Sequence, residues 1–405
     1  MKNIKGWIKE INLSRLKVID GFQEYNLCIS SNISLLDISI GDLVELEMDN
    51  EVMLNIKLIN KNYNSKSLFE TEEEVLKWKF VHNRLNGFCS DLQVKSNMIF
   101  QSMKFFNDLG FTFVETPILT KSIKEYSNNE FRVISDLIQN KEYSLSQSPQ
   151  VFKQLLMASG IKKYYQFVRN FRAEIGDETH LQEFSQIDIE MAYVQVEDIL
   201  EVFESYVCEI FNSILSLQLK RPFLRFEYHE LKEEFGTDSP SNEQVLSKYP
   251  DSKHYMVDEF LPYFVINFPL VEVNDGKVVP VRHIMAKPSN SEDWLKNENF
   301  NLLDVTTHSF DLVIKGIEIG GGDLRIDNHQ VQTEVLKRYG YSQEEIELLF
   351  PALMRGLKSA IPPHGGFAIG LDRIAMILMK KEDIKNTLAF PRTDEGYCPL
   401  SGAPS

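Results

Sequence analysis

Glu183-Phe184-Ser185-Gln186-Ile187-Asp188-Ile189-Glu190-Met191-Ala192-Tyr193-Val194 is the stretch on which the fold turns. Side chains alternate across a strand, so Ile187, Ile189, Met191 and Tyr193 take one face and Gln186, Asp188 and Glu190 the other. Both faces of a central strand in a large domain are covered. Three polar side chains on one such face are either solvated or line a polar pocket, and periodicity alone leaves both readings open. Just upstream, Tyr164–Phe171 forms a second strand candidate ending in Phe171-Arg172-Ala173-Glu174, and 175–182 then reads as a hairpin loop. The planar fork of Arg172 suits a phosphate; a plain Arg172–Glu174 pair is the other reading.

Outward from this hairpin the helical period appears. Val94, Met98, Met103, Phe106 and Leu109 recur at helical spacing before Gly110, which stands where a C-cap belongs. Val196–Leu215 carries a longer stripe through Ile199, Leu200, Phe203, Val207, Ile210 and Phe211. Helices mixed with a hairpin predict an α+β domain, an antiparallel sheet flanked by helices, over residues 83–405. Residues 1–65 differ. Tyr25–Ile29, Leu43–Met48 and Val52–Ile59 read as strands between turns at Asp20-Gly21, Gly41-Asp42 and Asp49-Asn50, which predicts a small β-barrel. Residues 66–82 read as a charged helical linker.

Composition bounds the function. The chain has 405 residues, 43% hydrophobic and 25% charged, with a formal net charge of −16. Such a chain builds a core without disulfides or a structural metal, and it is not disordered. Its acidity argues against a DNA coater or a membrane-surface binder, while leaving room for a local basic pocket. Cys28, Cys89, Cys208 and Cys398 are far apart with no CxxC, which speaks against zinc or a disulfide framework. Met1–Trp7 has no signal-like apolar stretch, and no run nears the ~18 apolar residues of a membrane span. A soluble, cytoplasmic protein is expected.

Two further runs carry chemistry. In Asp311-Leu-Val-Ile-Lys315-Gly316-Ile-Glu318-Ile-Gly320-Gly321-Gly322-Asp323-Leu-Arg325, a turn at Lys315-Gly316 would bring Asp311 and Glu318 together. Two such carboxylates repel unless a cation lies between them, and Mg²⁺ with nucleotide phosphates is the usual solution. The three glycines read as a close approach of ligand to backbone, or simply as a tight turn. Pro362-Pro363-His364-Gly365-Gly366-Phe367-Ala368-Ile369-Gly370-Leu371-Asp372-Arg373 reads as turn, strand and helix start. Arg373 in a first helical turn opposes the dipole and requires another partner. His364 reads as a satisfied turn histidine, with a ligand contact as the other reading.

These residues resemble the three ordered motifs of class II aminoacyl-tRNA synthetases: Gly110-Phe…Glu-Thr-Pro117, Phe171-Arg172-Ala-Glu174…Phe184-Ser-Gln186-Ile-Asp188-Ile-Glu190, and Gly365-Gly-Phe-Ala-Ile-Gly370-Leu-Asp-Arg373. Gln147-Ser-Pro-Gln150-Val-Phe-Lys153 and Glu318-Ile-Gly-Gly-Gly-Asp-Leu-Arg325 resemble the aspartyl branch. The resemblance spans about residues 83–405, and in position residues 1–65 resemble that family's OB-fold. It implies ATP bound with Mg²⁺, aspartate activated to an adenylate, and transfer to the 3′-end of a tRNA by a homodimer. Carried over by position, it implies that Arg172 holds the α-phosphate, with Glu174 beside it and His180 as a further phosphate contact. Phe184 and Arg373 sandwich adenine, and Asp311 and Glu318 bind the metal. Lys153 and Arg325 read the aspartate side chain. Gln186 and Glu125 hold its amino group, with Gln150, Asp188 and His283 around it. Two cations against one buried carboxylate would prefer aspartate over asparagine.

Four departures stand out. Lys124 and Tyr126 flank Glu125 where the family has Pro and Gly, and Arg282-His283-Ile-Met-Ala stands where it has His-Pro-Phe-Thr. About 175 residues separate Glu190 from Gly365, too few for the usual bacterial insertion domain. Residues 1–65 hold 7 Lys/Arg against 9 Asp/Glu, a poor match to an anticodon loop, although Phe22, Gln23 and Glu24 could read bases. Two functions follow: an aspartate–tRNA ligase, or a paralogue that passes aspartyl-adenylate to ammonia, a small molecule or a protein.

Overall fold

Five short N-terminal strands close on themselves. They are β1 (Lys2–Ile11), β2 (Arg15–Ile19), β3 (Glu24–Ile29), β4 (Leu43–Asp49) and β5 (Val52–Asn60), in the order β1-β2-β3-β5-β4 with β4 returning to β1. β3 runs parallel to β5, and this pairing completes an OB-like barrel with no free edge. Alternation turns Ile4, Ile8, Leu16, Val18, Leu27, Val44 and Leu46 inward as a core of its own. Gly6 is obligatory in β1, since a Cβ there would lie 2.6 Å from the Ile19 carbonyl oxygen. The three expected strands match to within two residues. β1 and β2 were not expected, because Lys and Gly interrupt their apolar alternation. The computed structural model describes residues 1–30, 33, 35, 37–62, 71–121, 130–137, 141–274, 276–289 and 301–404.

The chain divides into two units. The first holds the barrel within Met1–Asn97, together with Ile175–Leu181 and Ala375–Ser405. After the barrel come α1 (Glu72–Lys77), opened by a capping box at Thr71, and α2 (Lys79–Leu85). Arg84 of α2 lies over the Trp7 ring of the barrel at 5.1 Å. The C-terminal segment returns to these helices. Asn83 Nδ2 donates to the Ala389 carbonyl at 2.9 Å, and Lys385 pairs with Glu72 at 3.3 Å and Asp394 at 3.1 Å. The expected linker is thus helical where described; residues 66–70 lie outside the described residues.

The second unit, Met98–Glu174 with Gln182–Ile374, is built on an eight-stranded sheet. Its strands are β6 (Thr112–Phe113), β7 (Lys163–Phe171), β8 (Glu183–Ala192), β9 (Leu224–Glu227), β10 (Tyr263–Ile266), β11 (Ser309–Ile314), β12 (Ile317–Leu324) and β13 (His364–Gly370). They lie in the order β9-β10-β11-β12-β13-β8-β7-β6, antiparallel except for the two outermost pairs. Helices α3 (Phe88–Asp108), α4 (Gln150–Ala158), α5 (Val196–Leu215) and α6 (Leu371–Leu378) flank it. The apolar stripe of α5 is buried. Phe203 stacks on Phe367 of β13 at 4.3 Å and meets Phe264 of β10 edge-on at 5.7 Å. Truncating such a ring to Ala costs about 3–5 kcal/mol. The expected C-cap at Gly110 is present, with φ +76°. Among the described residues, no helix is long and apolar enough to cross a membrane.

Lys315 (φ 56°) and Gly316 (φ 74°) form the expected turn joining β11 to β12. Two glycines of the triplet serve the packing of the sheet. A Cβ on Gly320 would lie 2.2 Å from the Ala368 oxygen, and one on Gly322 2.1 Å from the Gly366 oxygen. Gly320 and Gly322 let β12 and β13 close on each other, while Gly321 lies on the face that carries Asp311.

Candidate active site

Sheet register gathers the polar groups. Glu190 of β8 faces Gly366 of β13, which faces Asp323 of β12; one row along, Asp188 faces Ala368, then Gly321, then Asp311 of β11. Residues paired across strands share a face, so the polar side chains of the 184–194 stretch join Asp323 and Asp311 on one side. Asp188 and Glu190 are buried, which excludes the solvated-face reading. Gly366 is the space in the first row: a Cβ there would lie 2.5 Å from Glu190 Oε2.

The Glu190 carboxylate takes that space, and Arg325 binds it. Its Nε and Nη2 donate to the two oxygens of Glu190 at 3.0 and 3.1 Å, and Nη2 also reaches the Gly366 carbonyl at 3.3 Å. Its Nη1 pairs with Asp323 and lies 2.7 Å from His283 Nε2. His283 Nδ1 accepts from the Met285 N–H at 3.2 Å, and its Nε2 also lies 2.7 Å from Asp323 Oδ2. From α4, Lys153 reaches Asp188 at 3.0 Å and Glu190 at 3.2 Å. Lys153, Arg325 and the three carboxylates are each at most 2% exposed. Burial pushes the Asp188 carboxyl up to about 6, against Lys153. Despite their burial, Glu190 and Asp323 stay below the usual carboxylate range, held there chiefly by Arg325. Burial pushes His283 down, so it is neutral. The premise that Lys153 and Arg325 wait uncompensated for a substrate carboxylate therefore does not hold.

The other end of the site is less enclosed. Arg172 lies over the Phe184 ring at 5.1 Å, and its buried Nε has no partner among the described residues. Glu174 is exposed. Arg373, in the first turn of α6, donates to the Glu318 carbonyl at 2.7 Å, with the Glu318 carboxylate at 3.9 Å. That carbonyl is the compensating partner its position demanded. Asp372 beside it accepts from the Ser185 N–H at 2.9 Å, tying the helix start to β8. His180 belongs to the first unit, where its Nδ1 lies 2.8 Å from Asp177. Gln186 accepts from Asn170 Nδ2 at 2.7 Å. Buried Gln150 Nε2 and Asp188 Oδ1 have no partner among the described residues. Glu125 lies outside the described residues. His364 is satisfied as expected, by Pro362 O at 2.8 Å and Gln154 Oε1 at 3.3 Å, although it opens a strand.

The expected metal pair is altered. Both oxygens of Asp311 are gripped by the Arg282 guanidinium, at 2.7 and 2.8 Å. Burial and Glu318 drive the Asp311 carboxyl up and Arg282 drives it down; a two-pronged contact this short is a bond to an ionised carboxylate. Glu318 is half-exposed, and no group of three His, Cys, Asp or Glu side chains suited to a metal occurs among the described residues. As these side chains stand they do not fit a two-carboxylate Mg²⁺ site, because Arg282 already supplies the positive charge. Sequence reasoning missed Arg282, Asp323 and Asn170 as site residues. For Asp323 the signal was there: Asp323 and Arg325 are two apart at a strand end and share a face.

The comparisons agree with this architecture. The aspartate–tRNA(Asp/Asn) ligase of Persephonella marina is 29% identical, over 82% of this chain and 75% of its own. The aspartate–tRNA ligase of Thermosipho africanus is 29% identical over 83% and 76%. Asparaginyl-tRNA synthetase from Pyrococcus horikoshii, solved with asparaginyl-adenylate, superposes with a TM-score of 0.73 at 18% identity, covering 97% of this chain and 95% of that one. The family model of class II tRNA synthetases (D, K and N) matches residues 71–394, and with most of its length so matched this chain belongs to that family.

Proposed function

We propose that the chain activates a four-carbon α-amino acid, aspartate or its amide, with ATP and transfers it to the 3′-end of a tRNA. The α-carboxylate oxygen bonds to the α-phosphorus while the bond to pyrophosphate breaks, giving an aminoacyl-adenylate. A terminal ribose hydroxyl of the tRNA then attacks the acyl carbon and AMP leaves. The observation that carries this reading is Arg172, held over Phe184 with a buried, unpartnered Nε on the polar side of the sheet. In the proposed reaction Arg172 meets the charge that develops on the α-phosphate, Phe184 stacks on adenine, and Arg373 covers the base and reaches the terminal phosphate. Glu174 contacts the nucleotide, while Gln186, Gln150 and Asp188 hold the amino group. Activation needs no side-chain base, because its nucleophile is already a carboxylate, and in the transfer step the hydroxyl proton passes to a phosphate oxygen of the leaving AMP; rate comes from positioning and charge. Exposed Phe100, Phe113, Ile118 and Leu119 support pairing of two copies.

The test is amino-acid-dependent exchange of labelled pyrophosphate into ATP, followed by label in acid-insoluble RNA with total tRNA of the source organism. Exchange and RNA label together support the full reading; absence of exchange with every amino acid overturns it. The acidic barrel supports a second reading, in which the adenylate passes to a non-tRNA acceptor such as ammonia, a small molecule or a protein. Phe22 and Gln23 sit in a turn closed by Asp20, whose Oδ1 accepts both their N–H groups at 3.0 and 2.9 Å, an ordinary structural use of those residues. Exchange without RNA label selects this second reading.

A further inference from the structure

The side-chain end of the pocket is already charge-complete. Every nitrogen of the Arg325 guanidinium has a partner inside the protein: Glu190 on Nε and Nη2, the Gly366 carbonyl on Nη2, and Asp323 on Nη1. His283 Nε2 faces the same space, 2.7 Å from Asp323 Oδ2 and 2.7 Å from Arg325 Nη1. Asp323 therefore occupies the Arg325 Nη1 donor that a bound side-chain carboxylate would use and stands against His283 as well. The charges point the same way. Lys153 and Arg325 are two buried cations; Asp188, Glu190 and Asp323 are three buried carboxylates. The deficit is one positive charge, and the α-ammonium group of an amino acid supplies it. A second carboxylate would then be buried without a cation, and an unpaired buried charge is strongly disfavoured.

Building on the adenylation reading above, we infer that Asp323 stands in for a substrate carboxylate and that this pocket selects an amino acid with an uncharged side chain. Asp323 is thus a specificity-determining residue. An amide side chain fits its chemistry well, because the amide nitrogen donates to a carboxylate that a substrate carboxylate would only repel.

The experiment is pyrophosphate exchange with the full chain and each of the twenty amino acids, in parent and Asp323→Ser. The expected result is that an uncharged amino acid, with L-asparagine as the first probe, exceeds L-aspartate in kcat/KM by at least about tenfold, and that Asp323→Ser reverses the preference. Asp323→Asn, which keeps the side-chain shape, serves if the serine variant does not fold. L-aspartate as the best substrate of the parent overturns the inference, as does an unchanged ratio in a folded variant. If no amino acid supports exchange, the adenylation reading fails, and this inference is decided separately by binding. Thermal shifts with asparaginyl- and aspartyl-sulfamoyladenosine then support it if the amide analogue stabilises more, and overturn it if the carboxylate analogue does.

Discussion

The two ends of one polar face treat their cations in opposite ways. Where Lys153 and Arg325 sit, each positive group is locked into carboxylates that the same sheet supplies, and all are at most 2% exposed. Where Arg172 sits, the guanidinium rests on an aromatic ring and a buried N–H points to no acceptor among the described residues. A cation that is already paired shapes a pocket; one that is not waits for a ligand. In the proposed reaction this difference puts the incoming anion at the Arg172 end and leaves the Lys153 end to measure size and charge.

The largest expected effect breaks the closed end. Lys153→Met leaves Asp188 and Glu190 facing each other with one cation fewer and should cost about 3–5 kcal/mol in urea unfolding. A loss under about 1 kcal/mol would show that these pairs hold little of the fold. At the open end, Arg172→Lys keeps the charge and loses the fork. Exchange should fall by about 10²–10³ with a melting temperature near the parent's. Equal loss of stability would erase the contrast between the two ends. Gly366→Ala attacks the space between them. A Cβ only 2.1 Å from the Ile189 oxygen should cost about 1–3 kcal/mol and loosen the Arg325 cluster.

The pH dependence sharpens the same comparison. Asp188 is pushed up to about 6 by burial and is faced by Lys153, Glu190, Arg325 and Tyr164. Below that pH it is protonated, the cluster loses one negative charge, and a substrate carboxylate is better tolerated. Use of aspartate relative to asparagine should therefore rise severalfold from about pH 8 to about pH 5.5. A flat ratio would detach Asp188 from selection. The smallest effect belongs to the barrel: Phe22→Ala, exposed in its turn, should move stability by less than about 0.5 kcal/mol.

Much of this was readable in the sequence. The strand Glu183–Ala192 and the helix Val196–Leu215 follow from period-two and period-3.6 patterns. The turn at Lys315-Gly316 follows from residues that tolerate positive φ. Other features arise only when distant strands are laid side by side. Asp323 meets Glu190 through Gly366, and Arg282 meets Asp311, across separations that no local pattern reports. The purpose of the glycine triplet was hidden for the same reason, since its contacts lie on the neighbouring strand. The expectation of two waiting cations failed because it counted the residues of the aspartyl-like signatures without the carboxylates the fold brings between them.

The first unit is assembled from residues near both ends of the chain: Asn83 donates to Ala389, and Lys385 binds Glu72. During synthesis the barrel has its buried core available once Val52 and Met53 have left the ribosome, whereas α1 and α2 wait for Lys385 and Ala389, about 300 positions later. Formation of that unit is thus early for the strands and late for the helices, since contacts of such sequence separation form slowly. A protease added to a fragment ending at Asn97 would cut around α1 and α2 first and spare the barrel.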